Sequence, residues 1–302
     1  MNIEHINELT SGKYGDAGQN IKLNSYTTLN IGGPADLLIK PETEGQISKI
    51  VKYCKKFNIP LTIIGNGSNL IIRDKGIRGV VLLLKENFSK IIVKEKEVIA
   101  QSGALLRDVA KKTFEKSLTG MEALSGIPGS VGGGIIMNAG AYGTEIKDVV
   151  KSVKCMNSNG EIIEYTNEQM NFSYRKSKAS EEKLIVVEVT FLLENGNYDK
   201  IIKSFEDFDY KRSSKQPLEA YSAGSTFKRP EGHFASKLID DAGLRGYTIR
   251  NAMVSEKHCG FLINKGNSTC ENYLELISQV QKIVKEKFGV TLEREVKLIG
   301  EE

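Results

Sequence analysis

Apolar residues recur at helical spacing in three stretches of the chain. The first stretch follows Thr43, stops near Pro60 and places on one helical face the side chains of Ile47, Ile50, Val51, Cys54 and Phe57. The last stretch ends at Gly289, and its stripe comprises Tyr273, Leu276, Ile277, Val280, Ile283, Val284 and Phe288. A shorter pattern runs from about Leu105 to Glu115. This spacing predicts three amphipathic helices.

Strand patterns fill much of the remaining sequence. Runs of apolar and β-branched residues cover residues 35–40, 61–65, 79–84, 91–99, 152–156, 161–165, 184–193 and 290–300. Around residues 200–217 the composition becomes charged and turn-rich, which predicts a domain boundary. Helices and strands together predict an α+β fold with more than one domain.

Two glycine-rich loops interrupt the strand patterns. The first glycine loop (Gly65–Leu70, GNGSNL) follows an apolar strand, and the second glycine loop (Gly126–Gly143) has glycines among apolar residues. Glycine lets the main chain lie against a ligand, and successive amides bind anions, so the loops predict a cofactor that carries a diphosphate. The alternative is tightly turned structure alone. A β-branched run follows Leu70 in place of a helix, which excludes a Rossmann loop.

Composition and charge narrow the class of partner. The chain has 302 residues, 40% of them hydrophobic, and a net charge of +4, which favours a small anionic substrate over a long polyanion. Stacking aromatic residues interleaved with arginine are absent, so we expect no nucleic acid. The four cysteines form no CxxC pair and no metal-ligand set, which predicts reduced thiols and no metal.

The remaining sequence features concern location. The N-terminal residues lack the apolar core of a signal peptide, and the longest purely apolar run is Val80–Leu84. Such a run is far too short to cross a bilayer. We therefore expect a cytoplasmic protein without membrane insertion.

Six motifs carry a resemblance to a known family. In chain order they are TLNIGGPAD, IGNGSNL, SGIPGSVGGGIIMNAGAYG, FSYR, AGSTF and LEREVKLIG. Together they resemble the UDP-N-acetylenolpyruvoylglucosamine reductases (UDP-N-acetylmuramate dehydrogenases), flavoenzymes of bacterial cell-wall synthesis. The interval from Arg175 to Ser225 leaves no room for the extra tyrosine-bearing loop of one branch, so the chain resembles the shorter, second type.

The resemblance implies a fold, cofactors and a substrate. The family has a two-part FAD-binding unit of PCMH (vanillyl-alcohol-oxidase) type, followed by a smaller α+β substrate domain. We accordingly predict FAD-binding subdomains at residues 1–85 and 86–206 and a UDP-sugar domain at residues 207–302. FAD and NADPH are the implied cofactors, and UDP-N-acetylglucosamine enolpyruvate is the implied substrate. No feature demands a partner chain, so we expect a monomer.

The matching motifs also imply site residues. Those implied to bind the cofactor are Gly65, Asn66, Gly67, Ser68, Asn69, Leu70, Gly126, Ile127, Pro128, Gly129, Ser130, Gly132, Gly133, Asn138, Gly140, Ala141 and Gly143. Those implied to bind the substrate are Tyr174, Lys228, Arg229 and Lys297. The family often has asparagine where this chain has Arg229, so an amide role there is replaced by a guanidinium that suits phosphate.

Three residues match the family's catalytic positions. Arg175 and Glu295 would stabilise the enolate that builds on the substrate's carboxylate side, and Ser225 would donate the final proton. Without the motifs, Ser225 is an ordinary turn residue, Glu295 a solvated strand position and Arg175 a surface charge. Two other functions stay open at this point. One is a flavin oxidase of the same superfamily, and the other is a non-catalytic protein that binds a UDP-sugar or flavin.

Overall fold

A computed structural model describes residues 2–302 of the chain. Its α-helices are α1 (Ile3–Leu9), α2 (Glu44–Lys56), α3 (Leu106–Phe114), α4 (Val131–Ile136), α5 (Lys178–Glu181), α6 (Tyr198–Lys215), α7 (Ala235–Asp241) and α8 (Cys270–Phe288). The strands up to residue 156 are β1 (Asp16–Lys22), β2 (Pro34–Lys40), β3 (Leu61–Ile64), β4 (Leu70–Ile72), β5 (Ile77–Leu83), β6 (Ile91–Lys94), β7 (Glu97–Gln101), β8 (Leu118–Thr119), β9 (Gly140–Ala141), β10 (Thr144–Glu145) and β11 (Val150–Met156). The later strands are β12 (Ile162–Thr166), β13 (Ile185–Leu192), β14 (Glu194–Asn195), β15 (Tyr221–Ser225), β16 (Thr248–Ile249), β17 (Ala252–Val254), β18 (Phe261–Asn264) and β19 (Lys297–Ile299).

The chain forms two compact units, and neither is continuous in sequence. The first unit extends to Gln19 and also contains Leu37–Asn66 and Gly79–Lys211. The second unit contains Asn20–Asp36, Gly67–Arg78 and Arg212–Glu302. For the residues of each glycine-rich motif, the unit to which they belong therefore matters as well as their position along the chain.

The first unit contains two hydrophobic cores. One surrounds α2, whose Ile47, Ile50, Val51 and Cys54 are buried beside β3 and β5, and these two strands pair in parallel. The other lies on the five-stranded antiparallel sheet in the order β12-β11-β13-β7-β6, against α3 and α4. A capping box between Thr43 and Gln46 begins α2.

The second unit has one core. It forms between α7, α8 and the antiparallel sheet β15-β18-β17-β16. Leu29, Ile31 and Ile71, from the N-terminal part of the chain, belong to this core. β4 pairs in parallel with β19, and Leu70 lies opposite Lys297. Gly289, at φ +71°, ends α8 as a left-handed C-cap.

Most of the predicted elements are confirmed, and three are wrong. The predicted strand over residues 91–99 is a hairpin, β6 and β7, with Glu95 in the left-handed region at φ +52°. The turn-rich stretch around residues 200–217 is mostly the 18-residue helix α6. The strand predicted over residues 290–300 is regular only at β19, because Leu292 and Val296 turn into the core four residues apart.

The overall fold class agrees with the sequence analysis. The chain is α+β, and residues 2–302 form three hydrophobic cores. The predicted domain boundaries at residues 85 and 206 stay a prediction. They divide the chain into continuous ranges, whereas each of the two compact units consists of separate segments.

Candidate functional site

The first glycine loop joins β3 to β4 and leaves a row of amides available. The carbonyl of Gly67 accepts from Thr28 N at 3.4 Å, and that of Asn69 accepts from Lys297 N at 2.9 Å. Among residues 2–302, the structure gives no hydrogen-bond acceptor to the amides of Asn66, Gly67, Ser68 and Asn69. Four successive donors without a partner are the chemistry that a phosphate needs. The loop therefore fits the diphosphate part of FAD.

Gly67 is the residue that lets this loop form. Its φ is +65°, and a Cβ there would overlap the carbonyl oxygen of Tyr26. Both conditions exclude any other residue without a shift of the main chain. Leu70, the last residue of the loop, is the first residue of β4 and pairs opposite Lys297.

The second glycine loop begins α4 and uses its amides differently. Gly132 N donates to Ser102 O at 2.8 Å, and Gly133 N donates to the Ser130 hydroxyl at 3.3 Å. A Cβ on Gly132 would lie 2.9 Å from Ser102 Cβ, and one on Gly134 would lie 2.9 Å from Ile146 Cδ1. The glycines of α4 thus allow close packing, and their amides are satisfied by this chain.

The start of the second loop still offers donors. Gly126 N and Gly129 N have no acceptor within the part of the chain that the structure describes. Pro128 is exposed, and its carbonyl accepts from Asn66 Nδ2 at 2.6 Å, which joins the two loops within the first unit. A Cβ on Gly65 would overlap the Ser130 hydroxyl, so glycine is required at this contact too.

Ser102 is a candidate that sequence reasoning missed. Its side chain is buried, and among residues 2–302 its Oγ is the buried side-chain polar atom for which the structure gives no partner. Buried hydroxyl groups normally have a hydrogen-bond partner. Because Ser102 packs against Gly132, a bound group beside α4 would satisfy it. A single serine after a strand carries no signal that sequence reasoning could have used.

Asn138 has a structural position that differs from its predicted role. Its side chain is fully buried, and Nδ2 donates to Glu145 Oε2 at 3.1 Å and to Ser173 O at 3.1 Å. Its Oδ1 accepts from Lys147 N at 3.3 Å. With both amide hydrogens used and no exposed surface, Asn138 supports other residues. Its predicted direct contact with the cofactor stays a prediction.

A tight hairpin returns the chain from Asn138 to Glu145. β9 and β10 pair with Ala141 opposite Thr144 and Gly140 opposite Glu145. The two turn residues, Tyr142 at φ +54° and Gly143 at φ +89°, are both in the left-handed region, as a type I′ turn requires. The hydrogen bonds of Glu145 with Lys147 and Asn138, together with the charges of Lys147 and Arg175, lower the pKa of its carboxyl.

Arg175 lies at the tip of a two-residue turn in the first unit. Ser173 and Lys176 close the turn through paired backbone hydrogen bonds of 3.1 and 3.2 Å. Arg175 has φ +59°, which is uncommon for a residue with a side chain, and its guanidinium lies 5.0 Å from the centre of the Tyr174 ring. Strained backbone of this kind is concentrated at functional sites.

Ser225 and Glu295 lie on neighbouring segments of the second unit. Ser225 ends β15 and is exposed, and Thr226 O, next along the chain, accepts from Glu295 N at 2.9 Å. Phe227 pairs in antiparallel fashion with Arg294, which continues the same register. Backbone hydrogen bonds thus hold Ser225 one register step from Glu295, although the two residues are 70 positions apart in the sequence.

The predicted substrate residues of the second unit lie around this pair. Lys228 Nζ forms an ion pair with Glu293, and Lys228 N donates to Glu293 O at 2.8 Å. The Arg229 guanidinium stacks 4.0 Å from the centre of the exposed Phe234 ring. Lys297 is exposed at the start of β19. The structure brings these cations, Ser225 and Glu295 into one unit, while Tyr174 and Arg175 belong to the first unit.

Other groups contribute no site chemistry. The four cysteines are free and buried, and burial raises the pKa of Cys54 and Cys155 to about 12. Within residues 2–302 there is no cluster of three or more metal-ligating side chains. No helix in this range is both long and apolar enough to span a membrane.

Sequence profiles match two parts of the chain. The profile described as FAD binding domain matches residues 35–166. The profile described as UDP-N-acetylenolpyruvoylglucosamine reductase, C-terminal domain, matches residues 216–299. The first match contains both glycine loops, and the second contains Ser225 and Glu295.

Whole-chain comparisons agree with these matches. The UDP-N-acetylenolpyruvoylglucosamine reductase of Clostridioides difficile (strain 630) is 49% identical over 93% of this chain and 92% of its own. The one from Caldanaerobacter subterraneus subsp. tengcongensis is 48% identical over 96% and 95%. The crystal structure of UDP-N-acetylenolpyruvylglucosamine reductase (MurB) from Thermus caldophilus matches with a TM-score of 0.81 and 33% identity, over 92% of this chain and 97% of that chain. The chain therefore belongs to the UDP-N-acetylenolpyruvoylglucosamine reductase family.

Proposed function

We propose that this protein reduces UDP-N-acetylglucosamine enolpyruvate to UDP-N-acetylmuramate with FAD and NADPH, a step of peptidoglycan precursor synthesis. It is an FAD-dependent oxidoreductase by its family and by its FAD-binding domain. The observation that carries the residue assignment is the backbone pairing that holds Ser225 beside Glu295.

The residues present fit FAD. The amides of Asn66–Asn69, Gly126 and Gly129 offer main-chain donors, and the Ser102 hydroxyl has no hydrogen-bond partner among residues 2–302. When bound, FAD supplies hydride transfer between NADPH and the enolpyruvyl double bond. Gly132 and Gly133, whose amides are bonded internally, would contact the group only through their small surface.

Arg175 is proposed to bind the substrate's carboxylate. Its guanidinium is planar and permanently charged, so two parallel N–H donors match the two carboxylate oxygens. Reduction at the terminal carbon of the double bond leaves negative charge on the carbon next to this carboxylate. A fixed cation stabilises that charge as it develops, and such donors contribute roughly 2.7 to 4 kcal/mol each.

Ser225 is proposed to donate the proton that completes the reduction. Its hydroxyl is exposed at the end of β15, where the substrate's double bond can approach. An unassisted serine is a weak acid, so it protonates only a strongly basic enolate carbon and must be resupplied afterwards. Glu295, one register step away, is proposed to assist as a protonated carboxyl, whose O–H would donate to the enolate side of the substrate.

The remaining assignments concern the UDP part and the surroundings. Lys228, Arg229 and Lys297 provide positive charge for a diphosphate, and Tyr174 lies beside Arg175. We also propose that the protein works in the cytoplasm and as a monomer, which its family resemblance and its lack of a predicted oligomeric seam favour.

Anaerobic stopped-flow absorbance tests the function directly. The holoenzyme is reduced with NADPH, and UDP-N-acetylglucosamine enolpyruvate is then added. We expect the flavin absorbance to bleach and then return. Bleaching of the flavin absorbance without its return would refute the substrate assignment. Failure of the protein to retain flavin would refute the cofactor assignment.

A serine pair on one strand tests the residue role. Ser225→Ala should leave bleaching by NADPH unchanged and slow the return of absorbance by about a hundredfold or more, because only the second stage needs the proton. Ser222→Ala is the matched control, since Ser222 lies on the same strand β15 and should leave both rates unchanged. Equal slowing of both stages by Ser225→Ala would remove Ser225 from this role.

A further inference from the structure

Asn138 of the second glycine loop, Glu145 of its hairpin and Lys147 just after the hairpin form a hydrogen-bonded group that contacts the turn carrying Arg175. Asn138 donates one amide hydrogen to Ser173 O and the other to Glu145 Oε2, both at 3.1 Å. Lys147 closes the group, since its Nζ lies 2.8 Å from Glu145 Oε2 and its N donates to Asn138 Oδ1. A buried amide thus links the glycine loop to the Arg175 turn.

The bond to Ser173 acts on the backbone of that turn. Ser173 O accepts from Lys176 N, which closes the turn, and from Asn138 Nδ2. Both of its acceptor positions are therefore used. Arg175 is held at φ +59°, a conformation that residues with a side chain rarely adopt and that persists only where the surroundings enforce it. Asn138 is the side chain that provides this support from the core.

Glu145 acts on the charge of Arg175. Its carboxylate is fixed by Asn138 and Lys147, and the positive charge of Arg175 contributes to lowering the pKa of Glu145. The Arg175 guanidinium lies 5.0 Å from the centre of the Tyr174 ring and near enough to Glu145 for its charge to act on that carboxylate. Two separate interactions, one with the backbone and one with the charge, converge on the same arginine.

We infer that Asn138 and Glu145 are positioning residues, which hold the Arg175 turn and its guanidinium ready for an anionic substrate. This inference rests on the proposed function of Arg175. It assigns the second glycine loop a second task besides the cofactor, because the hairpin that begins at Asn138 delivers Glu145 to the same place.

The first test compares the two stages of the reaction. Asn138→Ala should slow the return of flavin absorbance by roughly tenfold to a hundredfold, as displacement of a reacting group by about 1 Å does, and leave bleaching by NADPH within about twofold. The bound flavin per protein should stay unchanged, measured by absorbance. Loss of flavin, or equal slowing of both stages, would overturn the inference.

A double-mutant cycle separates positioning from a general structural effect. Arg175→Lys keeps the charge and removes the planar fork, so it should itself slow the return of absorbance. Because Asn138 acts through Arg175, adding Asn138→Ala to Arg175→Lys should cost less than about twofold more. An equal loss from Asn138→Ala in both backgrounds would show that Asn138 acts independently and would overturn the inference.

Glu145→Gln keeps the test decisive if Asn138→Ala does not fold. It preserves shape and removes the charge, and we expect the return of absorbance to slow by about fivefold. The control is Glu188→Gln, because Glu188 also lies 2.8 Å from a lysine, Lys154, in the same unit, and it should change neither stage. Equal behaviour of the two variants would contradict the role of Glu145. If wild-type protein shows no return of absorbance, the proposed function fails instead.

Discussion

The two glycine loops use glycine for different purposes. In the first loop the carbonyls of Gly67 and Asn69 are bonded and the amides of Asn66–Asn69 have no acceptor among residues 2–302. In the second loop the amides of Gly132 and Gly133 are bonded, and the missing side chains let α4 lie against Ser102. The first loop exposes amide donors, and in the second loop the absence of side chains allows close packing. A cluster of glycines therefore does not by itself indicate an anion site.

The largest expected effect separates two glycines that share a backbone conformation. Gly67 has φ +65° and Gly12 has φ +83°, but a Cβ on Gly67 would overlap Tyr26 O, whereas one on Gly12 would meet nothing within 4 Å. Gly67→Ala should abolish retained flavin, because the loop must move. Gly12→Ala should cost only about 1 kcal/mol of unfolding free energy from its left-handed backbone, and it should leave flavin bound because Gly12 lies outside both glycine loops.

Flavin absorbance of the purified proteins and urea unfolding check this pair. Equal flavin content in the two variants would mean that the shape of the first loop does not matter for the cofactor. Comparison with Gly12→Ala removes the common cost of positive φ, so the difference between the two variants reports the clash alone.

A smaller effect tests whether the two loops act together. Asn66 Nδ2 donates to Pro128 O at 2.6 Å, and Asn66→Ala removes this bond at a cost of about 1 kcal/mol in unfolding free energy. We also expect weaker FAD binding to the apoprotein, measured by flavin fluorescence titration. Asn167→Ala is the control, since Asn167 makes two side-chain bonds to backbone carbonyls elsewhere in the first unit. It should lower stability and leave FAD affinity unchanged, and equal FAD affinity in both variants would contradict a shared site.

The substitution with the smallest expected effect should raise the stability of the apoprotein and lower its affinity for FAD. Gly133 is exposed, and a Cβ there would meet only the Ser130 hydroxyl, at 3.4 Å. Gly133→Ala should stabilise the apoprotein by about 0.5 to 1 kcal/mol, because alanine is the better helix former. If FAD lies on this face, as we propose, its affinity should fall. Unchanged FAD affinity would place the cofactor away from Gly133.

Sequence reasoning succeeded where a local pattern decided the structure. The cap of α2 at Thr43, its apolar spacing and its stop all lie within residues 43–60, so no contact distant in sequence was needed to predict this helix. α6 was missed because its many charges resemble a loop, although Ile201, Ile202 and Phe205 pack inward at helical spacing. Glu95 was missed because glutamate gives no sign of the left-handed turn it makes between β6 and β7.

The site shows the same limit. The motifs identified both glycine loops, but they could not show which backbone groups were already bonded. The partners, Ser102 O as an acceptor and Thr28 N as a donor, lie elsewhere in the sequence. Asn138 is an instructive case. Its position in a glycine-rich motif suggested cofactor contact, and only its burial and its bonds to Glu145 and Ser173 indicate support of Arg175. Burial of this kind is a property of the folded chain.

The pairing of β4 with β19 sets the order in which a newly made chain can be completed. Asn69 Nδ2 lies 3.5 Å from the carbonyl oxygen of Glu295, a residue 226 positions later, and Leu70 pairs with Lys297. During synthesis on the ribosome, the end of the first glycine loop therefore lacks its partner strand until residues 226 positions later have been made. Contacts of such long range form slowly, so a chain truncated before β19 should lose the order of a loop that was translated more than two hundred residues earlier.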